Sequence, residues 1–224
     1  GLTETSPVIS VNDMRNHGFR VGTAGRVIDN VEVKIAPDGE ILCKGPNVML
    51  GYYKDEALTN EVIVDGYFHT GDIGQIDKDG FLKITDRKKE MFKTSGGKYI
   101  APQLLENAMK QCRFIGQIMV IGEGEKMPAA LIQLNFDFVK EWAKIHNIDI
   151  GATDQEIVKN AKVIDRLKEE IDGLNQKFGN WEQIKRFELT PDIWSVEGGH
   201  LTPTLKLKRK IILEKYKALY DEIY

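Results

Sequence analysis

Apolar positions in the first 85 residues fall in short alternating runs. Val31, Val33 and Ile35 alternate with Glu32 and Lys34, and Ile41, Leu42 and Cys43 follow across Pro37-Asp38-Gly39. That spacing predicts strands at 31–35 and 40–44 joined as a hairpin, with Gly39 supplying the positive φ of the turn. The pattern repeats at 74–76 and 81–84 around Asp79-Gly80. A small antiparallel β unit, barrel or sheet, is expected.

The period changes after Asp86. The stretch DRKKEMFKTSGGKYIAP lacks an apolar repeat at its start and reads as a connector at 86–89, then a short hairpin turning at Ser95-Gly96-Gly97. Pro102 opens a helix with Leu104, Leu105 and Met109 at helical spacing. Residues 115–121 and 129–134 read as strands, 137–145 and 154–177 as amphipathic helices, and 185–189 as a further strand. A terminal helix at 210–224 carries Ile211, Ile212, Tyr216 and Leu219. The expected fold class is α+β: a β-rich segment at 1–85, a hinge at 86–89 and an α+β domain at 90–224.

Composition narrows the function classes. Apolar residues make up 42% and charged residues 29% of 224 positions, as in an ordinary globular protein with a real core. A net charge of −3 argues against bulk attraction to nucleic acid or anionic lipid. Cys43 and Cys112 fit no metal or disulfide spacing and read as reduced thiols. No apolar run approaches the ~18 residues that span a bilayer.

Four stretches carry candidate chemistry. Thr3-Glu4-Thr5 offers hydroxyls around a carboxylate, which suits a magnesium–phosphate site or a solvated loop. In HTGD, Asp72 can accept two vicinal hydroxyls or simply close a turn, and His69 reads as a packed side chain. Arg87, Lys88, Lys89, Lys93 and Lys98 surround Gly96-Gly97, either as a solvated face or as a surface where a phosphate-bearing ligand meets the backbone. Finally, Lys206, Lys208, Arg209 and Lys210 follow Thr-Pro-Thr. Alternation of Leu205 and Leu207 with Lys206 and Lys208 would put both lysines on one side of an extended segment.

Taken in order, GLTETSP, GYFHTGDIG, TDRKKEMFKTSGGKYIAPQLLE and the lysine loop resemble the adenylate-forming superfamily of acyl-CoA synthetases, luciferases and peptide-synthetase adenylation domains. The combination of DRKKE, GGK, AP and LEN with LTPTLKLKR looks most like the long-chain fatty acid:CoA ligase branch. The resemblance implies ATP, Mg2+ and coenzyme A as ligands, and a fatty acid as the group activated to an acyl-adenylate and passed to CoA. Thr3 would contact the AMP phosphate and Glu4 would hold magnesium. Asp72 would bind the ribose hydroxyls with Arg87 beside it. Lys89 would be the pivot of the small domain, and Gly96 and Gly97 would line the pantetheine path with Lys93 entering at that stage. Lys206 would be the adenylation lysine, through one gap in the alignment, with Lys208 the competitor.

The resemblance also places GLTETSP inside the large domain. The chain is therefore expected to be the C-terminal portion of a longer enzyme, partnered by the missing N-terminal part of the same polypeptide. Residues 1–85 would end the large domain with its β-barrel subdomain, and 90–224 would form the mobile lid domain. The expected location is cytoplasmic with peripheral membrane contact left open, and nucleic acid is not an expected partner. The rival within the superfamily is a fatty acyl-AMP ligase loading an acyl carrier protein. Such enzymes commonly carry an insertion near the hinge that is not seen here. Rivals outside it are a nucleic-acid or lipid-binding module built on 206–210 and a non-catalytic interaction domain.

Overall fold

Turn residues cut the first part of the chain into short strands, and Gly1–Glu90 form one unit while Met91–Tyr224 form another. The structure is a computed structural model and describes residues 1–15 and 17–224. After a single 3-10 turn at Thr3–Thr5 come β1 (Ser10–Val11), β2 (Gly25–Val27), β3 (Glu32–Ile35) and β4 (Glu40–Lys44). Then follow α1 (Glu56–Val62), β5 (Ile63–Val64), β6 (Tyr67–Ile76) and β7 (Phe81–Arg87). The strands form one sheet in the order β1-β2-β7-β6-β4-β3, with β5 on β6, and the described pairings are antiparallel. Among the described residues no pairing joins β1 to β3, so the sheet is open and the expected barrel is not closed.

The β3–β4 hairpin forms where the sequence predicts it. Val33 faces Cys43 and Ile35 faces Ile41, and Gly39 at φ +86° donates its N–H to the Ala36 carbonyl at 2.8 Å. Ile9, Ile41, Cys43 and Leu82 make the core of this unit. Two boundaries differ from expectation. β6 starts at Tyr67, because Gly71 and Gly74 interrupt the apolar alternation without ending the strand. β7 continues through Arg87, so Asp86 and Arg87 belong to the strand and a turn at 88–90 follows.

The second unit contains β8 (Phe92–Lys93), β9 (Tyr99–Ile100), α2 (Pro102–Met109), β10 (Ile115–Ile121), β11 (Ala129–Leu134) and α3 (Phe136–Ile145). It continues with α4 (Asp154–Ile157), α5 (Ala161–Asn175), β12 (Arg186–Thr190), α6 (Arg209–Lys215) and α7 (Lys217–Ile223). β10 and β11 pair antiparallel, and β12 joins β11 in parallel. Alternating residues of the central strands feed two cores. Ile118, Val120, Ala130 and Ile132 pack with Leu105, Met109, Val139, Leu167 and Ile171 on one face. Met119, Ile121, Ala129 and Leu131 pack with Trp194, Ile212, Tyr216 and Ile223 on the other. With both faces covered, all six residues of β11 are buried. Each large side chain among them stabilises the unit by roughly 1.5–3 kcal/mol.

The predicted helix at 154–177 is two helices. Asn160 leaves helical geometry at ψ 119°, and its side chain accepts the Lys162 N–H at 3.1 Å, restarting the chain as α5. The terminal helix is likewise interrupted at Tyr216, whose ring is buried against Trp194 and His200. Both cysteines are free and buried. Among the described residues no helix is long and apolar enough to cross a membrane.

Candidate functional site

In the first unit the HTGD stretch is a β-bulge. Leu42 faces His69 and Glu40 faces Ile73, so Thr70, Gly71 and Asp72 of β6 together oppose the single residue Ile41 of β4. The Thr70 hydroxyl donates to the Ile41 carbonyl at 2.8 Å and accepts the Asp72 N–H at 3.1 Å. Gly71 sits at φ +70°, the left-handed region a glycine enters without strain. On the other side of β6, Asp72 faces Arg87 in register, and Arg87 Nε approaches Asp72 Oδ1 to 2.6 Å. Asp72 is 7% exposed while Arg87 is exposed, so the pair presents a fixed carboxylate at the sheet surface.

Beneath the bulge lies Glu40, 4% exposed. Its Oε1 accepts the Gly71 N–H at 2.9 Å, and its Oε2 meets Lys88 Nζ at 2.8 Å and His69 Nδ1 at 3.1 Å. Burial works to raise this carboxyl, but the bonds from Lys88, His69 and Gly71 outweigh it and hold it below its usual range. Lys88 also pairs with Asp38 at 2.7 Å, and the two carboxylates raise its own pKa.

The Thr3–Thr5 turn is tied by Thr5, whose buried hydroxyl takes the Leu2 N–H at 3.1 Å and lies 3.0 Å from the Leu2 carbonyl. Thr5 is therefore a structural residue, while Thr3 is exposed. Glu4 is half-buried and accepts the Tyr52 hydroxyl at 3.0 Å. Burial, then Glu4, raises the Tyr52 pKa. Leu2, the residue before the turn, lines a narrow cleft with Thr70 and Asp72. Among the described residues no cluster of three or more His, Cys, Asp or Glu side chains could hold a metal ion. One carboxylate at a phosphate site still fits magnesium, which keeps most of its ligands as water and phosphate oxygen.

In the second unit, Lys93, Gly96 and Gly97 lie on the β8–β9 hairpin. Thr94 closes the turn by pairing with Lys98, and Gly97 adopts φ +78°. A Cβ at Gly96 or Gly97 would meet no atom closer than 3.9 Å, so the exposed backbone is open to approach. Backbone bonds from Ser95 N–H to Glu125 and from Gly124 N–H to Lys93, each 2.8 Å, pin the hairpin to the 122–125 loop. The Lys93 ammonium lies 5.2 Å from the Tyr99 ring.

The lysine loop differs from the extended segment predicted. Leu205 takes φ +60° and donates its N–H to Thr202, so 202–205 is a tight turn and the lysine–leucine alternation does not define two sides. Lys206 is exposed next to that turn, and its backbone is bonded twice to Thr202. Lys208 is half-buried at the start of α6, with its N–H on the His200 carbonyl at 2.8 Å. His200, 2% exposed, packs in a three-ring cluster with Trp194 and Tyr216, and its Nε2 lies 2.9 Å from Lys215 Nζ. Burial, then Lys215, lowers the His200 pKa, which keeps the ring neutral. Arg209 reaches Glu106 of α2 with both carboxylate oxygens at 2.7 Å. Lys89 is exposed in the turn after β7.

Sequence reasoning missed Glu40, Glu106 and His200. Two of them carried a signal. Glu106 shares a helical face with Pro102, Leu105 and Met109, all buried, and Glu40 precedes the core residue Ile41. A carboxylate at a core position calls for a specific partner.

A family model described as "AMP-binding enzyme C-terminal domain" matches residues 89–224. A long-chain-fatty-acid–CoA ligase of Mycobacterium bovis is 34% identical over 224 residues, covering 100% of this chain and 37% of that protein. The chain thus spans little more than a third of that relative's length. Among solved structures, an anthranilate CoA ligase in complex with anthranoyl-AMP superposes with a TM-score of 0.69 at 19% identity, over 96% of this chain and 38% of the other. An O-succinylbenzoate coenzyme A synthetase of Bacillus subtilis, in complex with ATP and magnesium ion, gives a TM-score of 0.64 at 24% identity, over 94% and 39%. These two likenesses show a shared fold.

Proposed function

We propose, from the premise that this chain belongs to the family of AMP-binding enzyme C-terminal domains, that it works within an AMP-forming ligase joining a long-chain fatty acid to coenzyme A. The observation that carries the reading is the bulge that holds Asp72 beside Arg87, with Asp72 at a narrow cleft also lined by Leu2, the residue before the Thr3–Thr5 turn. A carboxylate fixed in that way accepts both ribose hydroxyls of a nucleotide at once. The name of the Mycobacterium bovis relative supplies the acyl class.

A fatty carboxylate attacks the α-phosphate of ATP, forming the acyl-adenylate while pyrophosphate leaves. The CoA thiolate then attacks the acyl carbonyl, the thioester forms, and AMP leaves. Positioning and charge neutralisation dominate such steps. Thr3 hydrogen-bonds the AMP phosphate and Asp72 holds the ribose, with Arg87 paired to Asp72 and holding it in place. Glu4 would hold Mg2+, which when bound supplies positive charge to the phosphate oxygens. In the second unit Lys206, exposed beside its tight turn, neutralises charge during adenylation. The open backbone at Gly96 and Gly97 admits the pantetheine arm, with Lys93 beside it, and Lys89 is the pivot between these stages.

The test uses the full-length protein, with Lys206→Ala and Lys208→Ala compared against the parent. Palmitate-dependent exchange of pyrophosphate into ATP reads adenylation, and conversion of palmitoyl-AMP plus CoA to thioester reads transfer. Lys206→Ala loses exchange by about 10²–10³-fold and keeps thioester formation. Loss in Lys208→Ala alone would move the role to Lys208. A parent that performs neither reaction would end the ligase reading.

A further inference from the structure

Glu40 belongs to none of the roles above, yet it touches the peptide that shapes the nucleotide site. Gly71 is bound from both sides: its N–H goes to Glu40 at 2.9 Å, and its carbonyl accepts the Lys88 N–H at 2.8 Å. Glu40 in turn holds the Lys88 ammonium at 2.8 Å. Carboxylate, glycine peptide and lysine therefore form a closed ring of three bonds. Its members come from β4, from the bulge, and from the first residue after β7.

A buried carboxylate is costly, and an apolar side chain of the same size would serve packing as well or better. Here each oxygen has a separate task. Oε1 fixes a peptide in a left-handed conformation, and Oε2 neutralises a lysine one residue before the proposed pivot. Without an acceptor the Gly71 N–H would be left unpaired inside the bulge. The three-residue excursion from Thr70 to Asp72 would then lose the bond that keeps it from sliding into regular pairing with β4.

We propose that Glu40 is a positioning residue for nucleotide binding: through Gly71 and Lys88 it sets the bulge that aims Asp72 at the ribose. The inference rests on the reading of Asp72 as the ribose ligand. It predicts that Glu40 acts through Asp72, although no bond between the two side chains is needed.

A double-mutant cycle in the full-length protein tests it, with the KM for ATP and the kcat read in palmitate-dependent pyrophosphate exchange. Asp72→Asn raises the KM for ATP by about tenfold or more, the loss of a charged hydrogen-bonding group. Glu40→Leu, which removes both acceptor oxygens, raises it by roughly 3–10-fold with little change in kcat, and adds nothing in the Asp72→Asn background. Lys88→Met changes an exposed side chain and shifts the KM in the same direction by a smaller factor. It carries the same cycle if Glu40→Leu does not fold. Equal effects in both backgrounds would overturn the inference, because they would mean that Glu40 supports stability without aiming Asp72. An unchanged KM in Glu40→Leu beside a raised one in Asp72→Asn would also overturn it. An unchanged KM in Asp72→Asn would overturn the ribose reading beneath it.

Discussion

Removing Arg209 costs the second unit more stability in alkali than in acid. Glu106 is 5% exposed, accepts both guanidinium bonds at 2.7 Å, and also takes the Val120 N–H at 2.8 Å. Burial raises its carboxyl from 4.5 to about 7 against the pull of Arg209. The folded chain thus keeps a proton that the unfolded chain has released between those values. The group's contribution to stability is fully present below the lower value and declines as pH climbs to the upper one, by about 3 kcal/mol. In Arg209→Met the carboxyl loses its cation and rises further, so the decline continues above about 7. Near about pH 8 the variant must either take up a proton or bury the carboxylate without its cation, a loss of about 3–5 kcal/mol. Near about pH 5 the carboxyl is already protonated, and the variant loses only an ordinary hydrogen bond, about 1 kcal/mol. Trp142, Trp181 and Trp194, the three tryptophans of these 224 residues, all lie in this unit, so their fluorescence in urea reports its unfolding. An equal shift in midpoint at both pH values, or none at either, would refute the account.

Gly71→Ala introduces no clash, since no atom lies within 4 Å of the added Cβ, but it must hold φ +70°. The variant loses about 1–2 kcal/mol in urea unfolding of the first unit, and its KM for ATP rises. Asn175 is buried and bonds the Ile184 N–H and carbonyl at 3.1 and 2.9 Å. Asn175→Ala leaves both groups unpaired and costs about 2–4 kcal/mol, with faster hydrogen exchange at the Ile184 amide as the local check.

The elements most legible in sequence are those whose local signals agree with their tertiary setting. Strands 115–121 and 129–134 appear with the predicted bounds because mostly apolar runs, broken only at Gly116-Gln117 and at Gln133, coincide with a sheet covered on both faces. Pro-Asp-Gly and Asp-Gly located the β3–β4 and β6–β7 hairpins of the first unit, while the β5–β6 hairpin at Asp65-Gly66 went unpredicted. What escaped depends on single residues working against the local pattern. Asn160 restarts a helix that the apolar period would continue, and Leu205 enters a conformation that leucine rarely takes. At the candidate site the residue types were readable, but the bulge was not, because pairing of β4 with β6 is non-local. Glu40 acquires its importance only from that pairing.

The parallel partnership of β11 with β12 also sets a timetable. Ala129 and Arg186 lie side by side in the sheet, yet α3, α4 and α5 are made between them. On a growing chain the β10–β11 hairpin can form early from neighbouring sequence, whereas β12 arrives only after that long excursion. During the interval an apolar strand waits with one edge unpaired, the condition in which a chain adheres to its neighbours. The most hazardous moment in the life of this unit therefore falls in its synthesis, while β11 waits for β12.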